Sequence, residues 1–163
     1  GERDEHRQQG ERKHPARSLP RRLILTAAAT VLLLLLSYLC SLLPGGNYSP
    51  AEQTSLASGA CMSLPFAALL LRSAVFPAVC EEMYYRRSLS DAIASVGAGR
   101  FTACICAALL FAVSHTGGGV SSVLLAGISS LILSALRTCS KSIACPIAAH
   151  LIYNSAVLIA ANI

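Results

Sequence analysis

Residues 23–43 read LILTAAATVLLLLLSYLCSLL, an apolar run without one charged side chain. At 1.5 Å per residue, about 21 residues of helix match the roughly 30 Å hydrocarbon core of a bilayer. The run ends at Pro44-Gly45-Gly46, a strong stop signal. It is too long and too late to read as a cleaved signal peptide. A chain with such a segment is bound to a membrane. Composition agrees: 54% of residues are hydrophobic, 13% are charged, and the mean hydropathy is +0.58. Soluble domains carry about 25% charged residues.

The charges are unevenly placed. Residues 1–22 hold seven of the 13 Lys and Arg and four of the eight Asp and Glu. This segment is polar and unpatterned, and it reads as a disordered basic tail. The net charge of +5 mostly describes that tail and gives no reason to expect a nucleic-acid partner. An Arg-rich segment before an apolar helix places the N-terminus in the cytoplasm by the positive-inside rule. The seven cysteines have no paired CxxC spacing and mostly lie in apolar runs, so they read as small hydrophobes.

A polar connection, NYSPAEQTSLASG, follows at 47–59. Its Asn47-Tyr48-Ser49 sequon is discounted because Pro50 follows. Residues 60–97 are again largely apolar. As one helix they would be about 57 Å long, nearly twice a bilayer core. Pro77 is the expected break, giving segments at 59–76 and 78–97. Arg100–Thr116, Val120–Thr138 and Ile143–Ile163 complete the pattern, separated by Gly117-Gly118-Gly119 and by the turn CSKS. Small residues recur in these last three, which suits close helix packing in lipid. The expected fold is all-α: a polytopic membrane bundle of five to six helices. Residues 23–76 would form N-terminal membrane helices and 77–163 a catalytic bundle. Counting six segments from a cytoplasmic N-terminus puts Pro77 and Gly117–Gly119 on the cytoplasmic side.

Ionisable residues inside a bilayer are costly and mark functional sites by default. Beyond the first segment these are Arg72, Glu81, Glu82, Arg86, Arg87, Asp91, His115 and His150, with Asn154 as the notable amide. Glu82 and Arg86 stand at i,i+4, the spacing of a helical salt bridge. Phe111 and His115 share that spacing, as do His150 and Asn154. The turn Gly97-Ala98-Gly99 lies about 17 residues from both Glu81 and His115, so a helical hairpin would set them at one depth. His150 would reach the same level only with tilt or offset. A carboxylate and an imidazole facing one water can act as general base and positioning group. A second His with an amide can donate hydrogen bonds to an oxyanion. Glu81, His115 and His150 are also a possible zinc set with an open position. Adjacent glutamates leave a helix about 100° apart. Arg86 could then neutralise Glu82 and leave Glu81 as the base.

At these positions the chain resembles the CPBP family, the CAAX-protease and bacteriocin-processing intramembrane proteases. The family pattern EExxxR, FxxxH, HxxxN reads here as Glu81-Glu82-Met83-Tyr84-Tyr85-Arg86, Phe111-Ala112-Val113-Ser114-His115 and His150-Leu151-Ile152-Tyr153-Asn154. The resemblance covers about residues 77–160. It implies a multi-pass cell-membrane endopeptidase acting on a peptide or protein substrate among lipid. Glu81 would activate water with His115, and His150 and Asn154 would support the oxyanion. Glu82 and Arg86 would organise the site. The resemblance leaves glutamate-type and zinc-dependent (metalloprotease) mechanisms both open, with no cofactor required by the first. Arg87 departs from the family, which commonly has Gly there. The alternative from another class is a non-catalytic membrane protein, such as a bacteriocin self-immunity factor or a scaffold.

Overall fold

The computed structural model describes residues 19–43 and 65–160. The sequon, the 47–59 connection, Cys61 and most of the basic tail lie outside the described residues. Five helices are present among them: α1 (Leu19–Ser41), α2 (residues 66–95), α3 (Arg100–Val113), α4 (Gly119–Ser140) and α5 (Ala144–Ala160). Two segments are long and apolar enough to cross a membrane, Leu19–Ser41 and Thr116–Ser140. The helices α3 and α5 are apolar but shorter.

Helix α1 begins at Leu19, four residues before the apolar run, with Pro20 in its first turn, where no intrahelical N–H is needed. Helix α2 corrects the expected break at Pro77. The chain stays helical from 66 to 95, and the strain of the proline is taken up in a wider turn just before it. Residues Leu71–Val75 form a π-helical turn, in which the Phe76 N–H bonds the Leu71 carbonyl five residues back. A proline ring clashes with the carbonyl four residues earlier and offers it no N–H. Widening the turn at that carbonyl accommodates both defects without ending the helix. A second π-helical stretch covers Glu82–Leu89. Thus the helix is irregular on both sides of Glu81.

Tight turns set the remaining topology. Gly97, at φ 94°, ends α2 in a left-handed conformation that favours glycine. After α3, His115 begins a short 3-10 turn at Thr116–Gly118 that leads into α4. Lys141, at φ 53°, caps α4 before α5. Helices α2 to α5 therefore run alternately up and down. An Arg137–Asp91 ion pair, 3.1 Å, ties the C-terminal end of α4 to that of α2.

The core is built of small side chains. Ala103, Ala107 and Ala112 of α3 and Ser122, Ala126, Ser130 and Ser134 of α4 are buried. Gly127 lies so close to α3 that a Cβ there would be 3.3 Å from the Ala112 Cβ. Small residues let backbones approach closely, which is how helices associate in lipid. A second cluster joins Ala29 and Leu33 of α1 to Leu133 and Leu136 of α4 and to Cys145 and Ala149 of α5. The outside stays apolar: Leu32, Leu35, Leu109, Leu110, Val113, Leu124, Ile128 and Leu131 are exposed. Cys40, Cys80, Cys104, Cys106, Cys139 and Cys145 form no disulfide; Cys40 and Cys145 are buried.

Candidate active site

Glu82 and Arg86 lie on the inner face of α2 and are fully enclosed. The Arg86 Nη1 is 3.0 Å from Glu82 Oε1, a charge-to-charge contact without the alignment of a hydrogen bond. The guanidinium rests 4.7 Å from the centre of the Phe111 ring, a cation–π contact supplied by α3. Tyr85 meets the same ring edge-on, with centroids 4.9 Å apart.

Glu82 does more than pair with Arg86. Its Oε1 also accepts a hydrogen bond from His150 Nδ1 at 2.9 Å, linking α2 to α5 across 68 positions of sequence. A carboxylate accepts only, so this bond puts a proton on Nδ1. The other ring nitrogen, Nε2, lies 3.8 Å from Glu81 Oε2. His150 is thus held on one side by Glu82 and faces Glu81 with the other. The two glutamates leave the helix in different directions: Glu82 is enclosed and Glu81 remains partly open.

His115 sits where α3 ends. Its Nδ1 is 2.9 Å from the Phe111 carbonyl, and Ser114 Oγ lies 3.1 Å from the same nitrogen. Donation from Nδ1 to that carbonyl leaves Nε2 as the acceptor of a neutral ring. Glu81, His115, His150 and Asn154 all line one cavity of about 220 Å³. A water molecule occupies roughly 30 Å³ in the liquid, so there is room for a peptide group beside a water. Pro77, Phe111, Leu125, Leu133 and Val157 supply apolar wall, and Leu33 of α1 closes it.

The depth match of Glu81 and His115 across the α2–α3 hairpin is therefore seen as both residues on one cavity, and α5 brings His150 to the same level. Among the described residues, no three His, Cys, Asp or Glu side chains come together as a metal-binding group. The zinc set of Glu81, His115 and His150 is not assembled, so no step is assigned to a metal. Sequence spacing did not reveal the Glu82–His150 bond, nor Ser122 and Ser129, which also line the cavity from α4. Their separation by seven positions on one helix face was the available signal.

A family model described as type II CAAX prenyl endopeptidase Rce1-like matches residues 63–156. No curated protein and no solved structure matches the chain. The matched region contains all three motifs and reaches over more than half of the 163 residues. It brings with it a membrane-embedded protease family that acts on peptide or protein substrates. The chain belongs to the type II CAAX prenyl endopeptidase Rce1-like family.

Proposed function

We propose that this chain is a multi-pass intramembrane endopeptidase that hydrolyses a peptide bond with water activated by Glu81 and His115. The observation that carries the reading is that Glu81, His115, His150 and Asn154, from three helices, line one cavity. Glu81 is the carboxylate open to that cavity, and Glu82 is occupied by Arg86 and His150.

The reaction then follows the chemistry of these groups. Water between Glu81 and His115 gives a proton to the Glu81 carboxylate as its oxygen attacks the scissile carbonyl carbon. The oxyanion accepts hydrogen bonds from the Asn154 amide and from His150. With Nδ1 committed to Glu82, His150 donates through Nε2 only when the ring carries a second proton. When the carbon–nitrogen bond breaks, the proton on Glu81 passes to the leaving amine. One water is consumed, and one carboxylic acid and one amine are formed, the acid then giving up the second water proton to solvent or to the amine.

The test is a comparison of membrane peptides from cells carrying the native chain or Glu81→Ala. The expected result is a peptide that accumulates uncut with Glu81→Ala while the protein still inserts at normal levels. Unchanged peptides in cells with the variant overturn the catalytic reading and leave a chain whose buried polar residues only hold its helices together.

A further inference from the structure

Several helical hydroxyls among the described residues fold back on their own backbone. Thr26, Thr30 and Thr138 each donate to the carbonyl four residues earlier, at 2.8 to 3.0 Å. Three buried serines of α4 do not: Ser129, Ser130 and Ser134 have no hydrogen-bond partner among the described residues. Only Ser129 of these lines the cavity shared by Glu81, His115, His150 and Asn154, and it is 9% exposed. The cavity-lining side chains within one turn of it on α4, Leu125, Ala126 and Leu133, are apolar and cannot satisfy it, and Ser122 is two turns away.

We propose that Ser129 is a substrate-binding residue whose hydroxyl hydrogen-bonds the main chain of the peptide held in the cavity. The proposal rests on the endopeptidase reading above. A peptide bond presented for attack must leave any helix, and its N–H and C=O groups then find no water in the hydrocarbon core. A hydroxyl donates once and accepts twice, so Ser129 can meet either kind of group. A buried polar group left unmade costs free energy, and a bound peptide removes that cost. Ser122, seven residues earlier on the same face, extends the polar track along α4. The substrate class implied is an extended segment read through its backbone, with its side chains against the apolar wall.

The experiment uses the full chain in lipid nanodiscs. The probe is a quenched fluorescent peptide ending in a farnesylated Cys followed by three apolar residues. Past the Cys, its polar groups are main-chain groups and the terminal carboxylate. Binding is measured in a Glu81→Gln background, and cleavage with Glu81 intact. Ser129→Ala should weaken binding and raise KM by about 3- to 10-fold, the loss of one neutral hydrogen bond, with kcat little changed. Ser130→Ala removes an equally unpartnered hydroxyl from the same helix, outside the cavity, and should leave both values alone. If cleavage depends on Glu81 and the two serine variants bind alike, this proposal fails and the endopeptidase reading stands. If no form of the chain binds or cuts the probe, both fail.

Discussion

His150 and Glu82 meet at 2.9 Å, Nδ1 to Oε1, between α5 and α2. The same oxygen faces Arg86 at 3.0 Å, so one enclosed carboxylate orients an imidazole and neutralises a guanidinium. The arrangement explains why the helix carries two adjacent glutamates: one is used in assembling the site, and the other is left in the cavity.

Removing the charge of Glu82 should therefore harm the fold before it harms the chemistry. Glu82→Gln leaves Arg86 as an uncompensated buried cation, a loss of about 3–5 kcal/mol. The double variant Glu82→Gln, Arg86→Met removes both charges and should recover most of that stability without recovering cleavage, since an amide oxygen holds His150 Nδ1 more weakly than the carboxylate does. Thermal unfolding in detergent alongside a cleavage assay checks both. Equal melting of Glu82→Gln and the native chain would sink the idea.

Glu81→Gln should behave in the opposite way. Glu81 is partly open, and its approach to His150 Nε2 is long, 3.8 Å. The exchange keeps shape and removes the base, so cleavage should fall by about 10²–10⁴-fold, the usual worth of a general base. Unfolding temperature should stay close to that of the native protein. A stability loss as large as that of Glu82→Gln would place Glu81 in the structural pair instead.

The local parts of this site were legible in the sequence, and the distant parts were not. Glu82 and Arg86 are one helical turn apart, so spacing alone predicts their contact. The shared cavity of Glu81 and His115 was readable because the Gly97 turn lies midway between them. The Glu82–His150 bond depends on how α5 lies against α2, which no local pattern encodes. Pro77 misled for another reason: a proline is usually a stop, but a π-helical turn at Leu71–Val75 absorbs it. The serines of α4 look like packing residues in sequence, and only the cavity separates Ser129 from Ser130.

Gly127 should tolerate one methyl group and little more. A Cβ there meets Ala112 Cβ at 3.3 Å, and Ala112 directly follows Phe111 on α3. Gly127→Ala gains about 1 kcal/mol of helix propensity against that crowding, so its melting should change little. Gly127→Leu should cost about 1–3 kcal/mol by overpacking. It should also cut cleavage by about 10²-fold, because pushing α3 from α4 displaces His115. Paired melting and cleavage measurements decide this, and a fully active Gly127→Leu chain would contradict it.

Continuity through Pro77 changes the expected orientation. Arg100 begins α3 beside the end of α2, and the Asp91–Arg137 pair puts the end of α4, with Lys141, at that same end. The first half and middle of α1 pack on the second half of α4, with Leu25, Ala29 and Leu33 in one cluster with Leu133 and Leu136. That brings Arg21 and Arg22 to the end already holding Arg100, Arg137 and Lys141. Positive charge concentrated at one end belongs in the cytoplasm. The turn after α2 should then be cytoplasmic, and the turn after His115 should face the opposite side, reversing the six-segment count. Gly99 and Gly117 both have open space for a side chain, so either accepts a cysteine. In a background without native cysteines, an impermeant maleimide added to intact cells should label Gly117→Cys and spare Gly99→Cys. After the membrane is permeabilised both should react. The reverse pattern in intact cells would place the basic end outside.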